Sequence, residues 1–124
     1  MAGTKQERLE AVLHSLDRVG GIQGSAIISR DGLIVASHVP KDLNVESFAA
    51  MSATMTGAAE TSVMVIDKGI PNRILVETDK TKLISVGATS ELLMVVLSDP
   101  RANIGLLFVE IKKAVQAIKE IMGD

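Results

Sequence analysis

Residues 45–65 carry only two charged side chains, Glu46 and Glu60, in a run otherwise built of Ala, Ser, Thr, Gly, Met, Val and Phe. As a helix this run would be about 32 Å long, and a helix packed on one side normally turns a broad charged face to water. A segment so poor in charge needs cover on more than one side. Its bounds support the helical reading: Pro40 breaks the chain, Asn44 offers a cap, and Asp67, Lys68, Gly69 and Pro71 stop the pattern near Ile66. At 100° per residue, Phe48, Ser52, Met55, Ala59, Ser62 and Ile66 share the face expected to meet the core. Met51, Thr54, Ala58 and Val65 fall on a flank, and Ala50, Ala53, Gly57, Thr61 and Met64 lie opposite the core side. Gly57 lowers helix propensity by about 1 kcal/mol relative to alanine. Small residues of this kind let another backbone come close.

The rest of the chain divides into short elements. Thr4 and Glu7 have capping-box spacing, and Leu9, Val12, Leu13, Leu16 and Val19 recur along one face, which predicts a helix over residues 5–19 ended by Gly20 and Gly21. Two β-branched runs, 24–29 and 33–37, flank Arg30-Asp31-Gly32 and predict a hairpin. Three further strands are expected at 73–77, 82–88 and 91–97; the first has the charged ends of an edge strand, and the last is apolar almost throughout and should be central. Asp99 and Pro100 are the expected cap and first-turn proline of a closing helix, whose stripe is Ile104, Leu107, Phe108, Ile111, Ala114, Val115, Ile118 and Met122. The expected fold is a single α/β domain over residues 1–124, an α+β sandwich in the order α-β-β-α-β-β-β-α. Its five-stranded antiparallel sheet has one helix on one face and two on the other.

Composition narrows the functional classes. A chain of 124 residues with 47% hydrophobic and 23% charged residues suits one packed core. A net charge of -2, no Trp or Tyr and only two Phe provide neither a basic footprint nor stacking platforms for nucleic acid. Without cysteine, disulfides and thiolate metal sites are excluded. Met1 to Glu10 is charged and lacks the apolar stretch of a signal peptide, and apolar runs such as Leu92 to Leu97 are far too short to span a bilayer, so a cytoplasmic location with no membrane partner is expected. His14 and His38 lie in separate elements with no second ligand at helical or hairpin spacing, so no metal is expected. Gly20, Gly21 and Gly24 follow a helix and precede a strand, the reverse of a phosphate-binding loop. Glu77 and Asp79 read as a charged hairpin turn. No catalytic residue and no cofactor emerge, and the chain is expected not to be an enzyme.

The charge-poor helix and the edge strand together suggest self-association. A second copy would cover Met51, Thr54, Ala58 and Val65, and the edge strand, with Arg73, Leu75 and Glu77, would pair with its own copy.

The run from Gly21 to Ser37, with its glycine, apolar strand, Asp31-Gly32 turn and second apolar strand, resembles the Roadblock (dynein light chain) family in its single-domain prokaryotic form. The small-residue second helix and the run from Asn103 to Lys113 look like that family too. The resemblance implies a homodimer with sheets joined edge to edge through the third strands and with paired second helices on one side. It also implies a non-catalytic scaffold or regulator of a small Ras-like GTPase, and the small, mostly uncharged side of the helix around Ala50, Ala53, Gly57, Glu60 and Met64 is the surface expected to meet it. A ligand-sensing domain and a purely structural subunit of a larger assembly are the alternatives. Arg30, Arg73 and Arg101 stand nearest to turns or edges, and none lies in a motif that marks it as an activating finger.

Overall fold

Leu92–Ser98 forms the innermost strand, since Leu92 to Val96 are all apolar and all buried, which requires cover on both faces. The computed structural model describes residues 3–124; the first two residues of the charged N-terminal stretch lie outside them. The elements are α1 (Lys5–Leu16), β1 (Ile22–Ser29), β2 (Ile34–His38), α2 (Val45–Val65), β3 (Ile74–Glu77), β4 (Lys82–Gly87), β5 (Leu92–Ser98) and α3 (Ile104–Met122). The strands form one five-stranded antiparallel sheet in the order β2-β1-β5-β4-β3. Thus β5 is central and β3 is an edge, as the patterning predicts.

Alternation along the strands separates two apolar layers. Ile27, Ala36, Ile84, Val86, Met94 and Val96 pack against Leu9, Leu13 and Leu16 of α1 and Leu107, Ile111 and Ile118 of α3. Ala26, Ile28, Leu93 and Val95 point to the other face, where Ala49 and Ala53 of α2 cover them with Phe48 alongside. The expected division, one helix against two, is the observed one.

Three local expectations need correction. The first helix ends at Leu16 with Asp17 as its cap, short of residue 19. The last helix is capped by Asn103, whose side chain accepts a hydrogen bond from the Leu106 N–H at 3.0 Å. Asp99 and Pro100 belong to the turn before it, because the Asp99 carboxylate is taken by the Arg101 N–H at 2.8 Å. The core face of α2 is rotated by roughly a quarter turn from the expected one. The buried side chains are Ala49, Ser52, Ala53 and Thr56, whereas Ser62 and Ile66 are exposed and Phe48, Met55 and Ala59 are only partly covered. Expectation followed the largest side chains; the helix instead presents its small ones to the sheet, which lets it lie close.

That closeness shows at the β1–β2 turn. Gly32 has φ +88, and a Cβ built there would stand 3.0 Å from Cα of Ala50. Only glycine satisfies both the left-handed turn and the passing helix. A buried polar contact fixes the helix on the sheet: the Thr56 hydroxyl donates to the Ser52 carbonyl at 2.8 Å and lies 2.7 Å from Ser85 Oγ on β4. Ser85 is fully buried and the Thr56 hydroxyl is its partner, so losing that hydroxyl leaves Ser85 unsatisfied. Thr56→Val, nearly isosteric, should therefore lower unfolding free energy by about 1–2 kcal/mol, and Ser85→Ala by less. In urea unfolding the double variant should cost less than the two singles added; strict additivity would show that the hydroxyls are not coupled.

Candidate functional site

Rotation of α2 decides which residues look outward. Met51, Thr54, Ala58 and Val65 lie opposite the sheet-facing row and are all exposed, with Met51 at 64% and Val65 at 79%. Beyond the helix, Ile66 and Ile70 are exposed as well, and β3 adds Leu75 and Val76. Exposed apolar side chains thus stand on the outer side of α2 and at the free edge of the sheet, where Val76, opposite Leu83, shares the α2 face and Leu75, opposite Ile84, lies on the face of α1 and α3. Patches of this kind on a small protein mark contact sites.

The row Ala50, Ala53, Gly57, Glu60 and Met64 occupies a shoulder of the helix, and the structure divides it. Gly57 and Met64 are exposed and Ala50 is half-buried. Ala53 is buried against the sheet, so it does not belong to the outer surface as expected, because the quarter-turn rotation carries it inward. Glu60 is held by Arg30, whose Nη1 donates to both carboxylate oxygens at 2.8 and 2.9 Å. Arg30 also donates from Nε to the Ser90 carbonyl at 3.0 Å, which ties the β1–β2 turn, α2 and the β4–β5 turn together. The pairing removes one of the two charges of α2 from the available surface and leaves the outward row uncharged.

Arg73 and Arg101, the other two arginines near turns or edges, are engaged too. Arg73 and Glu77 are exposed at the two ends of the β3 edge, and the Arg73 guanidinium lies 4.1 Å above the Phe108 ring, a cation–π contact. Arg73 and Phe108, together with Lys112 and Lys119, line an open groove of about 600 Å³ beside α3. Arg101 clamps Asp99, donating from Nε at 3.0 Å and Nη2 at 3.1 Å. These side-chain hydrogen bonds, with the one from the Arg101 backbone N–H, lower the Asp99 carboxyl from 3.8 to about 2.

Tertiary structure also joins what sequence separates. His14 on α1, Asp17 at its cap and His38 at the end of β2 place their donor atoms within 4.8 Å of one another. The expectation that neither histidine has a ligand-spaced neighbour is therefore corrected. His14 and Asp17 are three residues apart at a helix end, a signal the sequence carried; His38 is brought in only by packing of β2 beside α1.

Taken together, fold and surface define a small α+β module that offers an uncharged helix face next to a free sheet edge. The chain belongs to the Roadblock/LC7 domain family, whose sequence profile matches residues 8–98. Two uncharacterised proteins of Methanocaldococcus jannaschii are each 34% identical to it over 111 residues, covering 90% of this chain and 96% of theirs. Among solved structures, Myxococcus xanthus MglB superposes with a TM-score of 0.91 at 21% identity, over 99% of this chain and 93% of that one. The gliding protein MglB of Thermus thermophilus gives 0.87 at 22% identity over 98% and 93%. A Roadblock/LC7 domain from Streptomyces avermitilis gives 0.86 at 21% identity over 93% and 98%. No helix among the described residues is long and apolar enough to cross a membrane.

The Asp99 clamp has a defined pH signature. A carboxyl whose folded value is depressed adds stability that is complete above its unfolded value and fades as pH falls toward the folded one, here from near 3.8 to about 2. Arg101→Ala should move the Asp99 titration, followed by carboxyl NMR, upward while leaving the backbone donor in place. An unchanged titration midpoint would show that the guanidinium is not its cause.

Proposed function

We propose that this chain is a non-catalytic, cytoplasmic homodimeric scaffold that regulates a small Ras-like GTPase. The supporting observation is the uncharged outward row Met51, Thr54, Ala58 and Val65 on α2, together with the free and exposed edge of β3. A second copy related by a twofold axis would cover the α2 row with the same row, and would pair β3, with Arg73, Leu75 and Glu77, against its own counterpart. Stable interfaces bury about 800 Å² on each partner, a scale that a helix of 21 residues and an adjoining strand can meet.

Pairing in this way leaves the shoulder of α2 free. Ala50 and Gly57 present little bulk, Met64 is exposed and uncharged, and Glu60 is already matched by Arg30. That shoulder is the surface for the GTPase. The likeness to MglB structures agrees with this reading. The arginines near turns and edges are tied to Glu60, Phe108 and Asp99. Regulation is accordingly read as positioning of the GTPase's own switch segments, since no motif marks a finger supplied in trans.

Multi-angle light scattering should return twice the protomer mass of 13.1 kDa, and Val65→Arg should shift the protein to monomer with its circular dichroism unchanged. A wild-type monomer at micromolar concentration would end the dimer reading. Gly57 has no neighbour within 4 Å of a Cβ built there, so Gly57→Arg should fold and remain dimeric. It should nevertheless lose capture of a small Ras-like GTPase encoded in the same genome and any effect on phosphate release. Undiminished capture would exclude the shoulder as the contact.

A further inference from the structure

At the end of the molecule away from β3, α1 lies along the other edge strand. The start of the helix is tied to that strand by Gln6, whose Nε2 donates to the Val35 carbonyl at 2.7 Å. At the far end, His38 Nδ1 meets the Asp17 carboxylate, and the His14 ring is tilted 43° to that of His38 with centroids 4.8 Å apart. Two imidazoles and one carboxylate are a donor set suited to borderline divalent transition ions, whereas Mg²⁺ and Ca²⁺ take oxygen-rich sets.

We propose that His14, Asp17 and His38 form a binding site for one divalent transition-metal ion, Zn²⁺ foremost, which fastens the end of α1 to the edge strand β2. The donor atoms already lie within 4.8 Å of one another. A tetrahedral Zn²⁺ with bonds of about 2.0–2.1 Å holds its ligands about 3.3 Å apart. Closing that gap needs only side-chain rotation, which is open to them because His14 and His38 are exposed and Asp17 is partly so.

The strand register places a buried serine on the same face as His38. Ser25 is the cross-strand partner of His38, and its hydroxyl is buried, with the residue 1% exposed, and lacks a hydrogen-bond partner. Directly opposed residues of an antiparallel pair share a face, with Cβ atoms about 4.5–5.5 Å apart. Ser25 and His38 therefore share the face of the sheet on which α1 packs. Three protein donors leave the fourth position of the ion to water. The ion would complete a second tie between α1 and β2, so metal availability would set how firmly this edge is closed.

The test uses the untagged full chain, stripped with a chelator and titrated calorimetrically with ZnCl₂, with MgCl₂ as control. One Zn²⁺ per protomer should bind saturably and Mg²⁺ should not. At a hundredfold excess over Kd, Zn²⁺ should raise Tm by about 8 °C. His14→Gln, Asp17→Asn and His38→Gln should each weaken binding tenfold or more while matching the wild-type Tm in chelator to within a few degrees. Absence of saturable Zn²⁺ binding would overturn the proposal, as would wild-type affinity in His14→Gln and His38→Gln. If His38→Gln fails to fold, His14→Gln decides the matter, since His14 is an exposed helix residue. The outcome is independent of dimerisation and of GTPase capture.

Discussion

The seat of α2 on the sheet sets the terms for everything around it. Ala49, Ser52, Ala53 and Thr56 bring the helix close, and the Thr56–Ser85 hydrogen bond holds its rotation. Small side chains bury little apolar area, at about 25 cal/mol per Å², so this seat is weaker than one built from leucines. The same rotation turns Met51, Ala58 and Val65 outward. A helix lightly held on one side and uncharged on the other is physically suited to being completed by another chain. The Arg30–Glu60 pair accentuates this by using one of the helix's two charges to join α2 to the sheet's turns.

The two edges of the sheet are treated differently. Along β2, α1 supplies a side-chain donor to the Val35 carbonyl and brings Asp17 to His38. A helix laid along an edge strand, with one of its carbonyls already taken, hinders the addition of another strand there. On the far side, β3 has four residues, with Leu75, Val76 and Glu77 exposed. In the proposed dimer, sheet extension uses β3. The closed edge is the one where a metal ion would act, away from that strand, so fastening one edge need not disturb what the other offers.

Much of this was legible along the chain because the signals are local. The Thr4–Glu7 box, the Asn44 cap, the Asp31-Gly32 turn and the unbroken apolar run of β5 each depend on residues only a few positions apart, and each appears where its pattern places it. Asp99 and Pro100 misled because a turn and a helix start favour the same residue types, and Arg101 drew the Asp99 carboxylate into the turn. The rotation of α2 misled for a different reason. Periodicity finds the faces of a helix but cannot rank them when one carries Phe48 and Met55 and another carries small residues that fit a neighbouring sheet.

The sequence by itself determined the order of elements, the strand that would be central, the strand left at an edge, and the scarcity of charge on α2, since all of these follow from nearest-neighbour chemistry and period. Tertiary structure alone decided which face of α2 meets the sheet, that Ala53 is inside and Glu60 is paired, and that His14, Asp17 and His38 come together beside Ser25. Those outcomes depend on distances between residues far apart in the chain, set by how closely small side chains let one layer settle on the next.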